Sequence, residues 1–196
     1  MELDDCIKNR RSVRSFLAKK VEIEKIGLIL EAATFAPSSG NLQNWRFIVV
    51  DNEKKKEEIA DACLKEYWML ESPVFIVVCN DPVNIERFFG ERADFYATQN
   101  CAAAIENILL KAADLGLASN WVGAFDENAI KRTLKLPDSI KVEAVVVIGY
   151  SKEEKALSKR YSLEHLTYFN EWGKLKELLF PLRKISKEKK KFRLFK

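Results

Sequence analysis

The chain alternates between stretches in which apolar residues recur every three or four positions and short runs that are almost wholly apolar. The first pattern is typical of helices that bury one face, and Gly116 is a natural stop for the longest of them. Asp126 is placed to cap a further short helix that ends near Leu136. The other predicted helices cover residues 3–7, 22–35, 54–70 and 92–115.

The apolar runs are rich in β-branched residues, which is typical of buried strands. They lie at 47–50, 74–78 and 142–150, with a shorter strand or turn at 120–124. The valine-rich run at 142–150 is predicted to be central in the sheet. Residues 81–90 show no clear pattern, and two helix-like segments follow at 163–172 and 174–182. No strand precedes a Rossmann glycine motif or a P-loop, so we expect an α+β layer fold with helices flanking a sheet.

Composition narrows the class of protein. The chain has 196 residues, of which 47% are hydrophobic, so it can bury a core. No apolar run approaches the roughly 18 residues of a membrane span, and the acidic start differs from a signal peptide, so we expect a cytoplasmic protein without a membrane partner. The four cysteines include no CxxC pair and are expected to be free buried thiols.

The single histidine, His165, limits the chemistry that side chains can perform. It excludes zinc sites built on several histidines, and it is the one histidine that a catalytic triad could use. It lies in a late polar segment with no neighbouring nucleophile motif. We therefore expect no metal site, and we expect a cofactor to carry any chemistry.

Positive charge is concentrated at the end of the chain. Residues 183–196 contain eight Lys or Arg and one Glu, so they carry +7 while the whole chain carries +4 and the remainder −3. We predict one domain over residues 1–182 and a basic tail over 183–196. Phe192 and Phe195 lie among the lysines, an arrangement that can stack on bases. Nucleic-acid binding is nevertheless not expected, because the body has no nucleic-acid motif.

Four polar segments are candidates for binding a ligand. The first has Arg10, Arg11 and Arg14 around Ser12, and three guanidinium groups with a hydroxyl suit a phosphate monoester. The alternative for this segment is a basic helix end that complements the helix dipole. The last is Arg160, which matters only if the fold brings it back to Arg10.

The second segment is a turn dense in amides and hydroxyls that runs into the first strand. It can present donors and acceptors to the edge of a heteroaromatic ring, or its side chains can bond their own backbone. In the third segment a glycine and an alanine leave the backbone open to a flat ring, although strand packing explains the same residues. The second contributes Pro37, Ser38, Ser39, Asn41 and Gln43, and the third Val122, Gly123 and Ala124.

The order of these segments resembles the nitroreductase family of flavoenzymes over residues 3–172. RRSVR at 10–14 is similar to the family's phosphate motif, and APSSGNLQNW at 36–45 is similar to its isoalloxazine loop. The long alanine-containing helix, NWVGAF at 120–125, VVVIGY at 145–150 and a late arginine follow in family order. Each motif is weak alone, whereas the ordered set is fairly specific.

The resemblance implies a nitroreductase-like three-layer fold and an intertwined homodimer with two FMN sites at the subunit interface. Three sets of residues would bind each FMN. The phosphate and ribityl chain would be held by Arg10, Ser12, Arg14 and Arg160, with Arg11 nearer the ring. The ring would be met from the partner subunit by Pro37, Ser38, Ser39 and Asn41, with Gln43 supporting the loop or reaching the ligand. Beside the flavin's reactive nitrogen would lie Val122, Gly123 and Ala124.

The implied reaction is ping-pong. NADH or NADPH would reduce the flavin and leave, and a small electron-poor acceptor such as a nitroaromatic or a quinone would then be reduced in the same place.

Two departures from the family stand out. Asn44 occupies a position where many members have proline, and residues 67–73 lack the Asn and Lys that some members use on the flavin.

Other functions remain open for the same fold. Relatives that resemble this family perform dehalogenation, flavin cleavage or dehydrogenation of heterocycles. A flavin-binding redox sensor or carrier without turnover would have a flavin face blocked by bulky residues. The residues that supply such bulk, or that instead form core or line a substrate pocket, are Trp68, Phe88, Phe89, Phe95 and Tyr96.

Overall fold

Four antiparallel strands form the sheet in the computed structural model, which describes residues 1–153 and 158–175. They are β1 (Trp45–Val50), β2 (Val74–Asn80), β3 (Ala118–Val122) and β4 (Lys141–Gly149), in the spatial order β1-β2-β4-β3. The prediction that β4 is central is confirmed, because it pairs with both β2 and β3. The prediction that β1 is buried is wrong. β1 is an edge strand of the described sheet, and Val49 is 38% exposed.

Six helices accompany the sheet in the described residues. They are α1 (Leu3–Asn9), α2 (Ile23–Thr34), α3 (Glu53–Ala62), α4 (Val83–Phe89), α5 (Ala93–Asp114) and α6 (Glu127–Leu134). Gly116, with φ 72°, follows the end of α5, and the Asp126 carboxylate caps α6 by accepting from the Ala129 N–H at 3.1 Å. The helix predicted over 54–70 is too long. α3 ends at Ala62 because Leu64 and Lys65 adopt left-handed φ values of 55° and 61°.

The helices lie in two layers on opposite faces of the sheet. Side chains alternate along a strand, so Ile76 of β2 faces the core built with α2 and α5, while Phe75 faces the core that holds α3 and α6. Ile29 and Ile108 are wholly buried in the first core, and Ile130 is wholly buried in the second. The predicted three-layer α+β arrangement is confirmed. All four cysteines are free and buried, as predicted.

The chain divides into two units, Met1–Leu157 and Ser158–Lys196. In the described part of the second unit, a 3-10 turn covers Leu163–His165, so the helix predicted over 163–172 is wrong. Asn170 has a left-handed φ of 66°, which a continuing helix does not allow. The helix predicted over 174–182 lies outside the described residues except for Lys174 and Leu175, and the tail over 183–196 lies wholly outside them. The single domain over 1–182 stays a prediction. No described helix has both the length and the apolarity to cross a membrane.

Candidate functional site

The arginine segment, residues 10–14, follows α1 and continues the sheet beyond β3. Ser12 forms a parallel bridge with Ser119, and the Val13 N–H donates to the Ser119 carbonyl at 3.0 Å. The Asn120 amide donates to the Val13 carbonyl at 3.0 Å. Because side chains alternate along extended backbone, Val13 enters the core while Ser12 and Arg14 lie on the exposed side. Pairing with β3 therefore decides which side chains of the segment can meet a ligand.

Residues 67–71 form a 3-10 turn that holds the far end of the arginine segment. The Glu71 carboxylate accepts from the Phe16 N–H at 2.9 Å and pairs with the Lys152 ammonium at 3.0 Å. These contacts, the backbone hydrogen bond foremost, hold the pKa of Glu71 below its ordinary value. In the same turn, the Trp68 ring centroid lies 5.5 Å from the Arg14 guanidinium carbon. The Arg14 guanidinium thus lies over an indole, within the range of a cation–π interaction.

Arg10 and Arg11 have different surroundings from Ser12 and Arg14. Both line a cavity of about 450 Å³ next to the start of β3, and neither Ser12 nor Arg14 lines it. Arg11 donates to two carbonyls at the end of α1, at 2.5 and 2.6 Å, which is the helix-end role that the sequence left open. Arg10 Nε lies 3.7 Å from a carboxylate oxygen of Glu106. The four residues of the predicted phosphate-binding segment therefore fall into two pairs in the structure: Arg10 with Arg11, and Ser12 with Arg14.

Gly123 and Ala124 follow β3 and are exposed. A Cβ built on Gly123 would have one near neighbour among the described residues, the Trp121 indole nitrogen at 3.8 Å. Val122 is buried in the same core cluster as Val13, and Trp68 packs against that cluster. The open backbone at 123–124 and the arginine segment thus rest on one part of the core.

The amide-rich loop, residues 37–43, precedes β1 at the other edge of the sheet. Gly40, Asn41 and Gln43 have left-handed backbone, with φ values of 59°, 57° and 47°. The Gln43 side-chain amide donates to Asn41 Oδ1 at 3.2 Å, and the Gln43 N–H donates to Ser38 Oγ at 3.2 Å. Gln43 thus bonds within its own loop. Pro37 and Asn41 are exposed, whereas Ser38 and Ser39 are half-buried.

Asn100 of α5 and Asn80 of β2 contribute to this loop, and sequence reasoning missed both. Asn100 Oδ1 accepts from the Ser39 N–H at 3.0 Å, and the Asn44 amide donates to Asn80 Oδ1 at 2.9 Å. Asn80 and Asn100 are 0% and 4% exposed. An available signal was the polar residue at position 100, which interrupts the apolar face of the longest helix.

The two halves of the predicted site lie at opposite edges of the sheet. The amide-rich loop leads into β1, and the arginine segment lies outside β3, with β2 and β4 between them. Since neighbouring strands are spaced by roughly 4.8 Å, four spacings separate the two by about 19 Å along the sheet. Within one chain the arginine segment and residues 122–124 lie close together, whereas the amide-rich loop lies away from both.

Arg160 belongs to the second unit, where its guanidinium donates to the Lys159 carbonyl at 3.4 Å. Its approach to Arg10 stays a prediction. Within residues 1–153 and 158–175, no three metal-ligating side chains cluster together. Burial raises the pKa of three thiols to about 12, so they stay protonated at neutral pH: Cys63, Cys79 and Cys101.

Comparison with known proteins decides the family. A model of the nitroreductase family matches residues 7–68 and 63–150. The chain belongs to the nitroreductase family. A protein of Archaeoglobus fulgidus with the provisional name NADH dehydrogenase/NAD(P)H nitroreductase is 36% identical over 160 residues, which cover 78% of this chain and 89% of the relative.

Two further similarities widen the picture for this family member. The structure of an FMN-dependent nitroreductase from Clostridium difficile R20291 matches with a TM-score of 0.75 at 30% identity, over 86% of this chain and 99% of that chain. Iodotyrosine deiodinase of Thermotoga neapolitana is 26% identical over 178 residues, which cover 78% of this chain and 90% of the relative. The predicted family and its fold are therefore confirmed.

Proposed function

We propose that this family member binds FMN and passes reducing equivalents from NADH or NADPH to a small electron-poor acceptor such as a nitroaromatic or a quinone. The observation that carries the proposal is the pairing of the arginine segment with β3, which leaves Ser12 and Arg14 exposed, with Arg14 over the Trp68 ring. The names of two relatives support the cofactor and the reductant, since one is an FMN-dependent nitroreductase and the other an NAD(P)H nitroreductase.

The residues present fit FMN. An exposed guanidinium that lies over an indole can still donate its N–H groups to phosphate oxygens, and a serine hydroxyl adds a further donor. The backbone at Gly123 is open enough for a flat ring to approach, because a Cβ there would meet one atom within 4 Å among the described residues. Phosphate donors and a ring platform thus occupy one edge of the same sheet.

The side chains would bind and orient the cofactor. Ser12 and Arg14, with Arg10 and Arg160, would hold its phosphate and ribityl chain, and Arg11 would lie nearer the ring. When bound, FMN supplies the capacity to accept and donate a hydride. Backbone N–H groups at 122–124 would stabilise negative charge that develops on the ring. Burial keeps the thiols of Cys63, Cys79 and Cys101 protonated, and the chain has a single histidine, so the protein would contribute position and electrostatics.

The separation of the two half-sites supports a homodimer in which each FMN is shared. The family resemblance places the amide-rich loop of one subunit on the ring held by the other, and in one chain the loop lies at the edge opposite the arginine segment. Apolar side chains on α1 and at the end of α2 offer a surface for a second copy: Leu3, Ile7 and Phe35 are 67%, 54% and 81% exposed.

Subunit mixing tests the shared site. Arg14→Gln and Asn41→Ala each damage one half of the proposed site, so either homodimer would bind FMN weakly. A co-purified heterodimer would regain one intact site, and its FMN content would exceed that of both homodimers. FMN content equal to the mean of the two homodimers would contradict a site shared between subunits.

One alternative reaction has a specific observation in its favour, the similarity to iodotyrosine deiodinase. Reductive dehalogenation would use the same cofactor and the same binding residues with a narrower acceptor. Oxidation of the reduced protein by one halogenated phenol, with no response to quinones or nitroaromatics, would favour it over the broad reductase.

The first experiment is a visible absorption spectrum after mixing with FMN and desalting, followed by anaerobic addition of NADH or NADPH. We expect a retained yellow chromophore that bleaches and regains colour when a quinone is added. A chromophore that resists bleaching would favour a redox sensor, and no chromophore would overturn the proposal.

Arg14→Gln should weaken FMN binding about tenfold or more, as for a lost hydrogen bond to a charged group. Arg132→Gln, an exposed arginine on α6, is the matched control.

A further inference from the structure

The amide-rich loop has one residue in a conformation that its side chain does not favour. Gly40 and Asn41 are residue types that adopt left-handed backbone readily, whereas Gln43, with φ 47°, is not. Left-handed backbone at such a residue persists where surrounding contacts hold it. The contacts that hold this loop therefore decide whether it keeps the shape proposed to meet the flavin ring.

A single side chain, Asn100 of α5, bonds both ends of the loop. Its Oδ1 accepts from the Ser39 N–H at 3.0 Å and from the Ser39 hydroxyl at 3.2 Å. Its Nδ2 donates to Asn44 Oδ1 at 2.7 Å, at the point where the loop enters β1. Asn44 is 2% exposed and also donates to the Ala97 carbonyl at 3.3 Å. Asn100 thus fastens the loop to α5 at both points, and the bond to Asn44 is fully buried.

Groups that can act only as acceptor or only as donor set the direction of these hydrogen bonds: the Glu143 carboxylate and the Ala97 carbonyl accept, and the Ser39 N–H donates. Glu143 Oε1 accepts from Asn80 Nδ2 at 3.1 Å, and a carboxylate can only accept. Asn80 must then present its Oδ1 to the Asn44 amide, at 2.9 Å, which leaves Asn44 Oδ1 for the Asn100 amide. Asn100 is left with its oxygen toward the Ser39 N–H. Reversal of the chain would set two donors against each other at Ser39.

We propose that Asn100 is a positioning residue that holds the amide-rich loop in its FMN-binding shape, and that Asn44 links it to Asn80 and Glu143. The inference rests on the proposed function, because it takes the loop to contact the flavin ring. Asn44 has a role of its own here. Proline, common at this position in the family, has no side-chain amide with which to link Asn80 to Asn100.

The first variant is Asn100→Ala, studied as the full chain. It leaves the Ser39 N–H and the Asn44 oxygen without their buried partner, so we expect FMN affinity to fall about tenfold. In the apo-protein, the Ser39 amide should lose its protection from hydrogen exchange, a readout that does not depend on the flavin. At saturating FMN, the absorption bands of the bound flavin should also shift, because the ring loses a fixed neighbour.

The second variant, Glu143→Gln, keeps the size of the side chain and does not touch the loop. A glutamine can keep its oxygen toward Asn80 Nδ2, and the Ala97 carbonyl and the Ser39 N–H still allow one direction of the amide chain. We therefore expect Glu143→Gln to keep the parent's FMN affinity and Ser39 protection, and a loss equal to that of Asn100→Ala would contradict this arrangement. Thr98→Val is the matched control, since the Thr98 hydroxyl donates to the same Glu143 oxygen at 3.2 Å from outside the chain of amides.

A stability control separates positioning from general weakening. Asn52→Ala removes the cap of α3, which accepts from the Lys55 N–H at 3.1 Å, and lowers the stability of the fold without touching the loop. Asn52→Ala and Thr98→Val should keep the parent's FMN affinity and Ser39 protection. Parent-like affinity and exchange in Asn100→Ala would overturn the inference, as would an equal loss in Asn52→Ala. If the parent chain takes up no FMN, the proposed function is wrong, and Ser39 exchange in the apo-variants alone decides whether Asn100 holds the loop.

Discussion

Gly149 lies at the end of β4, in a place too tight for a side chain. A Cβ built there would lie 2.8 Å from Cδ of Pro73 and 2.9 Å from Cδ1 of Phe16. Phe16 is 1% exposed, so its ring cannot swing into solvent to make room. Overpacking a buried site costs about 1–3 kcal/mol, and the stiffer unfolded chain of an alanine variant offsets about 0.4–1 kcal/mol of that. We expect Gly149→Ala to lower the free energy of unfolding by about 1–2 kcal/mol.

The same substitution at Gly27 should have the opposite sign. Gly27 is exposed within α2, and a Cβ there meets no described atom within 4 Å. Alanine is more favourable than glycine in a helix interior by about 0.5–1 kcal/mol, so Gly27→Ala should stabilise the protein. The pair separates the effect of crowding from the effect of backbone entropy, which is common to both sites.

Urea unfolding of the apo-protein at one fixed protein concentration measures both variants. FMN and dimerisation each shift the midpoint by mass action, so both conditions have to be held constant. We expect unchanged m values, with the midpoint lowered in Gly149→Ala and raised in Gly27→Ala. In a Phe16→Leu background, the cost of Gly149→Ala should shrink, because one of the two crowded contacts becomes flexible. A Gly149→Ala variant as stable as the parent would refute the reasoning.

Three further predictions concern titration and burial. Tyr150→Phe should return the pKa of Glu22 from about 2 toward its ordinary value of 4.5, because the Tyr150 hydroxyl is the main cause of the shift; NMR titration of the carboxyl measures it. Since this pKa is lowered by folding, the carboxylate's stabilising effect is complete above pH 4.5 and is lost as the pH falls toward 2, and Tyr150→Phe should shrink that loss. Lys56→Met should lower the free energy of unfolding by about 1–3 kcal/mol in urea, because the buried Ser72 carbonyl loses the ammonium that donates to it. Iodoacetamide at mildly alkaline pH should modify three thiols only after unfolding, as mass spectrometry would show: Cys63, Cys79 and Cys101.

Elements with a long or uniform pattern were predictable from the sequence. α5 repeats its apolar period over six turns, and β4 is apolar without interruption from Ala144 to Ile148, so neither has a competing interpretation. The end of α3 was not predictable, because two residues without glycine's freedom, Leu64 and Lys65, adopt left-handed backbone there. The edge position of β1 was not predictable either, since the apolar run of four residues at 47–50 does not show how many neighbours a strand has.

In the candidate site, the residues proposed to contact a ligand were predictable from the sequence, whereas the residues that hold them in place were not. The arginine segment and the amide-rich loop are each continuous in sequence, so their chemistry can be recognised from a few neighbouring residues. The groups that hold them are distant along the chain: Glu71 is 55 residues from Phe16, Asn100 is 61 from Ser39, and Asn120 is 107 from Val13. No local pattern links such pairs, because each depends on which strands and helices become neighbours. The one local sign of such a long-range contact is a polar residue within an otherwise apolar helix or strand. Asn100 on α5 and Asn80 at the end of β2 are both of this kind. A buried amide in such a position must find a partner, so it points to a segment that the fold has to hold in place.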